Sequence, residues 1–256
     1  MSLSFRSLIA GALLLVAGLA DATAADLGPD RGLGYAPAAV VPTPTWYIRG
    51  DVGYAWMDAN DLVANSFTFS SVSVDNTWGL GVGIGTYFGA GVRGDLTYEW
   101  RASTDVHATG VAVADFELDS QVLLANLYYD FRPFAHFTPY IGIGVGAAFH
   151  SSSSGTVTTT CGGTCNFDGE SKWTPAAALM AGLSFRLDRQ APVSIKDSSV
   201  AATVPGRLHF DVGYRFLYLG DASTGHAVGV AAPTPGPRLE DITAHEFRIG
   251  LRYDLR

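Results

Sequence analysis

Apolar and polar residues alternate with a period of two along eight segments of this chain, a pattern typical of strands whose two faces meet different environments. In one segment, Val92, Leu96 and Trp100 share a face, whereas Arg93 and Asp95 lie on the other. The segments are 46–57, 77–88, 92–101, 120–131, 140–149, 173–187, 207–218 and 242–254. A tilted strand crosses the hydrocarbon core of a bilayer with about 9–11 residues, so the segments are long enough to do so.

The aromatic residues decide between a membrane barrel and a soluble sandwich or lipocalin-like barrel, since alternation alone fits all three. All five tryptophans fall in the apolar phase and close to the ends of segments: Trp46, Trp56, Trp78, Trp100 and Trp173. Amphipathic rings prefer the headgroup level of a bilayer, whereas a soluble core would place tryptophan in the middle of a strand. We therefore predict an all-β fold, an eight-stranded antiparallel up-and-down transmembrane β-barrel over residues 46–256.

The connections between segments alternate between long and short. Long loops are predicted after the odd segments, at 58–76, 102–119, 150–172 and 219–241. The other connections are 89–91, 132–138 and 188–206, of which only the last is long. Both termini of an even-stranded barrel lie in the periplasm, so the long loops are expected on the extracellular side.

The N-terminal region is expected to direct export. Arg6 precedes the apolar run 8–20, and Ala22-Thr23-Ala24 supplies small residues for cleavage after Ala24 or Ala25. Residues 1–25 are thus predicted to be a cleaved signal peptide, and 26–45 a Pro-rich periplasmic lead. Net charge is −8 and the chain has only two lysines, which disfavours nucleic acid as a partner.

Charged residues of both signs occupy the inward phase of the predicted strands. They include Arg49, Asp51, Arg93, Asp95, Glu99, Arg101, Arg207, Asp211, Arg215, Glu246, Arg248 and Arg252. An eight-stranded barrel is just wide enough for side chains to fill, and an unpaired charge inside it costs several kcal/mol. We expect interlocked ion pairs that block the lumen; a charged constriction in a small-solute porin is the alternative.

The predicted outer loops hold twelve carboxylates against only Lys172 and Arg238. Asp115, Glu117 and Asp119 are weak candidates for a loose Ca²⁺ or Mg²⁺ site, through which the loops would approach anionic lipopolysaccharide. No spacing of the EF-hand type is present, and solvated carboxylates that keep the loops soluble are the simpler interpretation.

Cysteine and histidine suggest two further features of the same loops. Cys161 and Cys165 are expected to form a disulfide in an exported protein. His107, His150 and His226 lie in or beside three different loops and are candidate axial ligands for hemin, although lone loop histidines are usually solvated. No catalytic residues are predicted, because no serine and acid accompany His245 and neither a metal cluster nor a nucleotide-binding loop is present.

Two sequence motifs support the barrel interpretation. WYIRGDVGYAW at 46–56 and EFRIGLRYDLR at 246–256, with the Pro-rich lead, resemble the small outer-membrane β-barrels of the OmpA/OmpX-like superfamily, closest to the alphaproteobacterial surface-antigen branch. Some members of that branch bind hemin.

The resemblance implies location in the Gram-negative outer membrane and a structural or surface-interaction role. It also implies three partners: membrane lipid with lipopolysaccharide, the barrel-insertion machinery, and a host or envelope surface ligand. The insertion signal would comprise Arg248, Gly250, Tyr253 and Leu255, but the chain departs from the family in ending with Arg256 rather than phenylalanine.

Overall fold

The structure is a computed structural model that describes residues 45–59, 61–64, 67–110, 112–159, 163–187, 192–193, 202–203, 207–228 and 235–255. All of them fall in one compact unit, 42–256. The predicted signal peptide and almost all of the Pro-rich lead lie outside the described residues, so both stay predictions. Among the described residues, no helix is long and apolar enough to span a membrane.

Strands make up nearly all of the described chain. They are β1 (Trp46–Asp58), β2 (Asp61–Ala64), β3 (Phe67–Val74), β4 (Thr77–Gly89), β5 (Val92–Arg101), β6 (Thr104–Gly110), β7 (Ala112–Asp130), β8 (Phe137–Ser152), β9 (Gly155–Thr159), β10 (Thr164–Phe167), β11 (Ser171–Arg186), β12 (Pro192–Val193), β13 (Ala202–Thr203), β14 (Leu208–Ser223) and β15 (Arg238–Leu255).

Eight long strands form a closed antiparallel ring in the order β1, β4, β5, β7, β8, β11, β14, β15. The ring closes where β1 pairs with β15, in unbroken register from Trp46 opposite Leu255 to Asp58 opposite Thr243. Each strand contains one of the alternating segments, so the predicted eight-stranded up-and-down barrel is confirmed.

The outer surface of the ring is apolar and the lumen is polar over the part of the barrel between two aromatic girdles. On β4 and β5, Val82 is 62% exposed, whereas Arg93 is fully buried. At one end of the barrel the rings of Trp78 and Trp100 meet edge to face, with centroids 5.5 Å apart. At the other end, Trp46 and Phe88 face outward. This is the arrangement expected for hydrocarbon between two bilayer interfaces.

The four long connections contain strands rather than the loops that the sequence analysis assumed. β2, β3 and β6 link β15 to the first half of β7, while β9 pairs with that half of β7 on its other side. β10 pairs with β9 and bridges through Phe167 to Ala227, next to the upper ends of β14 and β15. We call this second ring, made of β2, β3, β6, β9, β10 and the adjoining ends of β7, β14 and β15, the cap.

The cap forms because its interior is apolar. Alanine, valine, leucine and phenylalanine side chains from all parts of the second ring form one buried cluster, which includes Leu62, Val74, Val106, Ala108, Ala114, Phe116, Leu118, Val157, Phe167, Ala222 and Leu239. Burying these side chains stabilises the pairing of the cap strands. Four independent loops would have no such shared core. The cap lies at the end of the barrel opposite Trp46 and Leu255, and we assign the cap end to the extracellular side.

Candidate functional site: the lumen and the cap

The centre of the lumen holds a five-residue cluster of charged side chains contributed by β5, β14 and β15: Glu99, Arg101, Arg215, Glu246 and Arg248. Arg215 donates from Nε to Glu246 Oε2 at 2.5 Å and from Nη2 to both oxygens of Glu99 at 2.7 Å. Arg101 donates to both glutamates, at 3.0 Å to Glu99 Oε1, and Arg248 also donates to Glu99. Charge-assisted bonds of this kind are roughly twice as strong as neutral ones, so the cluster crosslinks strands that are not neighbours.

A second cluster lies nearer the periplasmic end, around Arg49. Its guanidinium donates to Asp51 Oδ2 at 2.9 Å and to Asp95 Oδ2 at 3.0 Å. Asn126 donates to the other oxygen of Asp95 at 2.8 Å, and Tyr47 donates to Asp95 Oδ2 at 3.0 Å. The Asp95 carboxylate is therefore held by an arginine, an amide and a phenol at once.

Arginine and tyrosine side chains close the periplasmic end of the lumen. The Arg93 guanidinium carbon lies 4.1 Å from the ring centre of Tyr128 and 5.1 Å from that of Tyr140, and Arg93 Nε donates to Asp130 at 3.0 Å. Such cation–π contacts supply favourable electrostatics where water is excluded.

A chain of polar contacts at the same end ties β4 to β15. Arg252 donates to the hydroxyl of Tyr87 at 2.8 Å, and Tyr87 donates to Asp254 at 2.7 Å. The second oxygen of Asp254 lies 3.1 Å from His209 Nε2. Asp211 is paired with Arg252 Nε at 3.3 Å.

The structure brings together almost all the side chains that the sequence predicts for the lumen. Arg207 lies at the periplasmic rim, just before β14, and donates to the outward-facing hydroxyl of Tyr253 at 3.3 Å. Tyr87, Tyr140 and Asp254 also belong to the network but were not predicted from the sequence. Tyr87 and Asp254 stand in the inward phase of their strands, which was the available signal.

The predicted cation ligands do not converge. Asp115, Glu117 and Asp119 follow one another at alternate positions on the outer face of β7, where Asp115 contacts His107 and Asp119 accepts a hydrogen bond from Ser103 at 2.5 Å. No group of three or more His, Cys, Asp or Glu side chains suited to a metal ion occurs within the described residues. Solvated carboxylates are the interpretation that this arrangement favours.

The three candidate hemin ligands lie on different surfaces. His107 is exposed on β6 and His226 is exposed at the top of the cap. His150 is buried, with Nδ1 2.8 Å from Ser120 Oγ and Nε2 3.0 Å from the Leu219 carbonyl oxygen. Both of its ring nitrogens are thus engaged, and the three imidazoles cannot act on one ligand in this arrangement.

The residues of the predicted insertion signal and one of the two cysteines lie in the described part of the structure. Gly250 of the insertion signal leaves room for the network, because a Cβ at this position would overlap the Asp51 carboxylate. Arg248 lies in the lumen, whereas Tyr253 faces outward and Leu255 is half-buried at the rim. Cys165 is half-buried on β10, but Cys161 lies outside the described residues, so the disulfide stays a prediction.

An ion pair joins the ends of β14 and β15 within the cap. Arg238 at the start of β15 donates to Asp221, which also accepts from the backbone N–H of Asp241 at 3.1 Å. The hydrogen bond to Asp221 raises the pKa of the Arg238 guanidinium. β14 bulges here on both sides of Gly220, whose φ of +75° favours glycine.

Comparison with known proteins agrees with this geometry. An uncharacterized protein of Brucella suis biovar 1 is 28% identical over 289 aligned positions, which cover 94% of this chain and 95% of that protein. An uncharacterized protein of Brucella abortus is 27% identical over the same shares. The outer membrane protein OprG from Pseudomonas aeruginosa shares the fold, with a TM-score of 0.52 at 15% identity over 83% of this chain and 96% of OprG.

The relatives do not test the narrower resemblance to hemin-binding surface antigens, which stays a prediction. The family model for the outer membrane protein beta-barrel domain matches residues 11–254, nearly the whole chain. With the closed eight-stranded ring and its aromatic girdles, that match shows that the chain belongs to the outer membrane protein beta-barrel family and resides in the Gram-negative outer membrane.

Proposed function

We propose that the protein is a structural and surface-interaction barrel, which anchors the cap on the outer face of the outer membrane and passes no solute through its lumen. The observation that supports this proposal is the filling of the lumen by two successive layers. The first is the charged network between the girdles, and the second is the apolar interior of the cap.

The charged network opposes conduction because its members are already paired. The single carboxylate of Glu99 accepts hydrogen bonds from Arg101, Arg215 and Arg248. The side chain of Glu99 is 7% exposed and that of Arg215 is 3% exposed. A solute could pass only by breaking several of these pairs at once in a poorly hydrated interior, where an uncompensated charge costs several kcal/mol.

The apolar interior of the cap forms a second barrier in series. Val106, Leu118 and Leu239 are at most 2% exposed and lie above the network. Hydrophobic constrictions of this kind exclude water and ions by dewetting. A solute entering from outside would therefore meet an apolar layer before it reached the ion pairs.

The outer face of the cap is the surface that a partner would meet. Asp105 lies opposite Glu117 in the pairing of β6 with β7, and Asp115 and Asp119 extend this acidic strip. β9 beside it presents Thr156 and Thr158. A hydrogen-bonded sheet holds these side chains in fixed positions, which lowers the conformational entropy lost when a ligand binds to them.

Planar-bilayer recording of the refolded mature chain tests this proposal. We expect no steady conductance from the wild type, nor from a Glu99→Ala, Arg215→Ala double variant, whose cap remains closed. Deletion of 60–75, which removes β2 and β3, should also leave the barrel closed while the network is intact. Only the combination of both changes should conduct. Steady channels from the wild type would support the porin alternative instead.

One observation favours hemin binding as a second candidate function, through His107 alone. Its Nδ1 contacts Asp115, which leaves Nε2 available on an exposed side chain. A carboxylate bound to the second ring nitrogen is the usual support for a histidine ligand. Absorbance titration with hemin should then give a Soret shift that His107→Ala abolishes and His226→Ala preserves. Equal titrations for both variants would reject this assignment.

A further inference from the structure

The lipid-facing side of β7, β8 and β11 carries a groove of about 390 Å³. Tyr128, Gly142 and Met180 lie directly opposite one another in the strand pairing and form its floor with their backbones. Its walls are apolar side chains that point outward on either side of this row: Leu127, Tyr129, Ile141, Ile143 and Leu179.

The floor of the groove is sealed toward the lumen. The ring of Tyr128 covers Gly142 from inside, since a Cβ on Gly142 would lie 2.5 Å from Tyr128 Cδ1. The Tyr128 hydroxyl accepts a hydrogen bond from Arg49 at 3.0 Å and donates to the Met180 sulfur at 3.5 Å. The groove is therefore open only to the membrane, and its occupant must come from there.

Three exposed basic side chains stand at the periplasmic foot of the same three strands. Arg132 and His136 lie in the turn between β7 and β8, and Arg186 ends β11 opposite His209, in the inward phase but exposed at the mouth of the barrel. Leu127 and Arg132 are five residues apart, which places them at most about 18 Å from each other, within the reach of one lipid molecule. Tyr129 and Phe131, whose ring centroids are 5.1 Å apart, lie between the groove and this foot.

The charge at this foot is not neutralised within the described part of the chain. Neither Arg132 nor Arg186 forms an ion pair or a side-chain hydrogen bond with another described residue. The nearby carboxylates Asp130 and Asp254 are occupied by Arg93 at 3.0 Å and His209 at 3.1 Å. The described residues of the foot are thus basic, in contrast to the acidic outer face of the cap at the other end of the barrel.

We propose that the groove and its basic foot form a binding site for an anionic glycerophospholipid of the periplasmic leaflet. One acyl chain lies in the groove on β7, β8 and β11, and the phosphate is bound by Arg132 and Arg186. Apolar contact gives affinity for any acyl chain, while the two arginines select the anionic headgroup. This site does not depend on whether the lumen conducts.

Native mass spectrometry of the refolded mature chain tests the site. The protein is equilibrated in mixed micelles with equal amounts of phosphatidylglycerol and phosphatidylcholine that carry identical acyl chains, and the retained lipids are counted. The wild type should retain phosphatidylglycerol in preference. Arg132→Gln with Arg186→Gln should lower that preference at least about fivefold, the change expected for losing one cation near an anionic headgroup.

Filling the groove provides the second arm of the test. Ile143→Trp should reduce retention of both lipids, whereas the matched control Ile84→Trp, at a lipid-facing isoleucine on β4, should not. Heat-dependent gel migration confirms that each variant is folded. Equal retention of the two lipids by the wild type, a preference that survives loss of both arginines, or equal losses in the two tryptophan variants would overturn the proposal.

Discussion

The membrane-embedded lumen and the cap are built on the same strands, yet their interiors have opposite character. On β7, the inward residues Phe116 and Leu118 of the cap are apolar, and Asn126 in the membrane-embedded half is polar. The outward residues change in the reverse sense, from Glu117 to Leu127. The inward phase is the same along the whole strand. The polarity of each face therefore follows what that face meets, which changes where the strand leaves the membrane.

The largest expected effect comes from breaking the lumen network at its most connected carboxylate. Glu99→Gln removes the charge of the carboxylate to which Arg101, Arg215 and Arg248 all donate, and removal of one member of a buried ion pair costs about 3–5 kcal/mol. The free energy of unfolding, measured by urea titration in lipid vesicles, should fall by that amount. A loss below about 1 kcal/mol would mean that water already reaches these charges.

The cap should respond differently, because its interior is packed mainly with apolar side chains. Leu239→Ala removes a fully buried side chain and should cost about 2–4 kcal/mol. Limited proteolysis should then cleave within the cap while the barrel stays protected. Leu251→Ala on the same strand, where the side chain is 50% exposed to lipid, is the control and should remain resistant.

A smaller effect is expected where a glycine makes room for the network. Gly250→Ala should cost about 1–3 kcal/mol, since the new methyl group would displace the Asp51 carboxylate. Gly53→Ala is the matched change, because a Cβ there would lie 3.4 Å from Arg248 Cγ, an ordinary contact. Equal urea midpoints for the two variants would show that Asp51 relaxes without loss.

The smallest effect concerns the predicted disulfide in the cap. Cys165→Ser opens only a very short covalent ring, so it should change the free energy of unfolding by about 1 kcal/mol or less. Mass measurement of the unreduced wild type should show two hydrogens fewer than the reduced protein. Two free thiols would disprove the pairing of Cys161 with Cys165.

The sequence predicts the barrel well and the cap poorly, for one physical reason. Alternation between Trp46 and Met57, or between Val92 and Arg101, has a single phase because those segments meet only hydrocarbon and lumen. In a strand that leaves the membrane, as β7 does near Ser120, the apolar face reverses. Its apolar residues point outward in the membrane and inward in the cap. Short strands such as β2 and β10, with four residues each, give no periodic signal of their own.

Within the site, inward charges were predictable but their partners were not. Arg49 lies on β1 and Asp95 on β5, and β4 stands between these two strands in the ring. The two side chains therefore meet across the lumen-facing side of β4. Contacts across the lumen depend on barrel diameter and strand tilt as well as on phase.

The seam between β1 and β15 has a consequence for biogenesis. Glu246 and Arg248 reside on the final strand, whereas Glu99 and Arg101, their counter-ions, are synthesised long before it. An unfinished polypeptide therefore carries uncompensated ionic groups that resist entry into hydrocarbon, and these are neutralised when the last strand docks. A chain cut before β15 should therefore insert less efficiently than one that carries it.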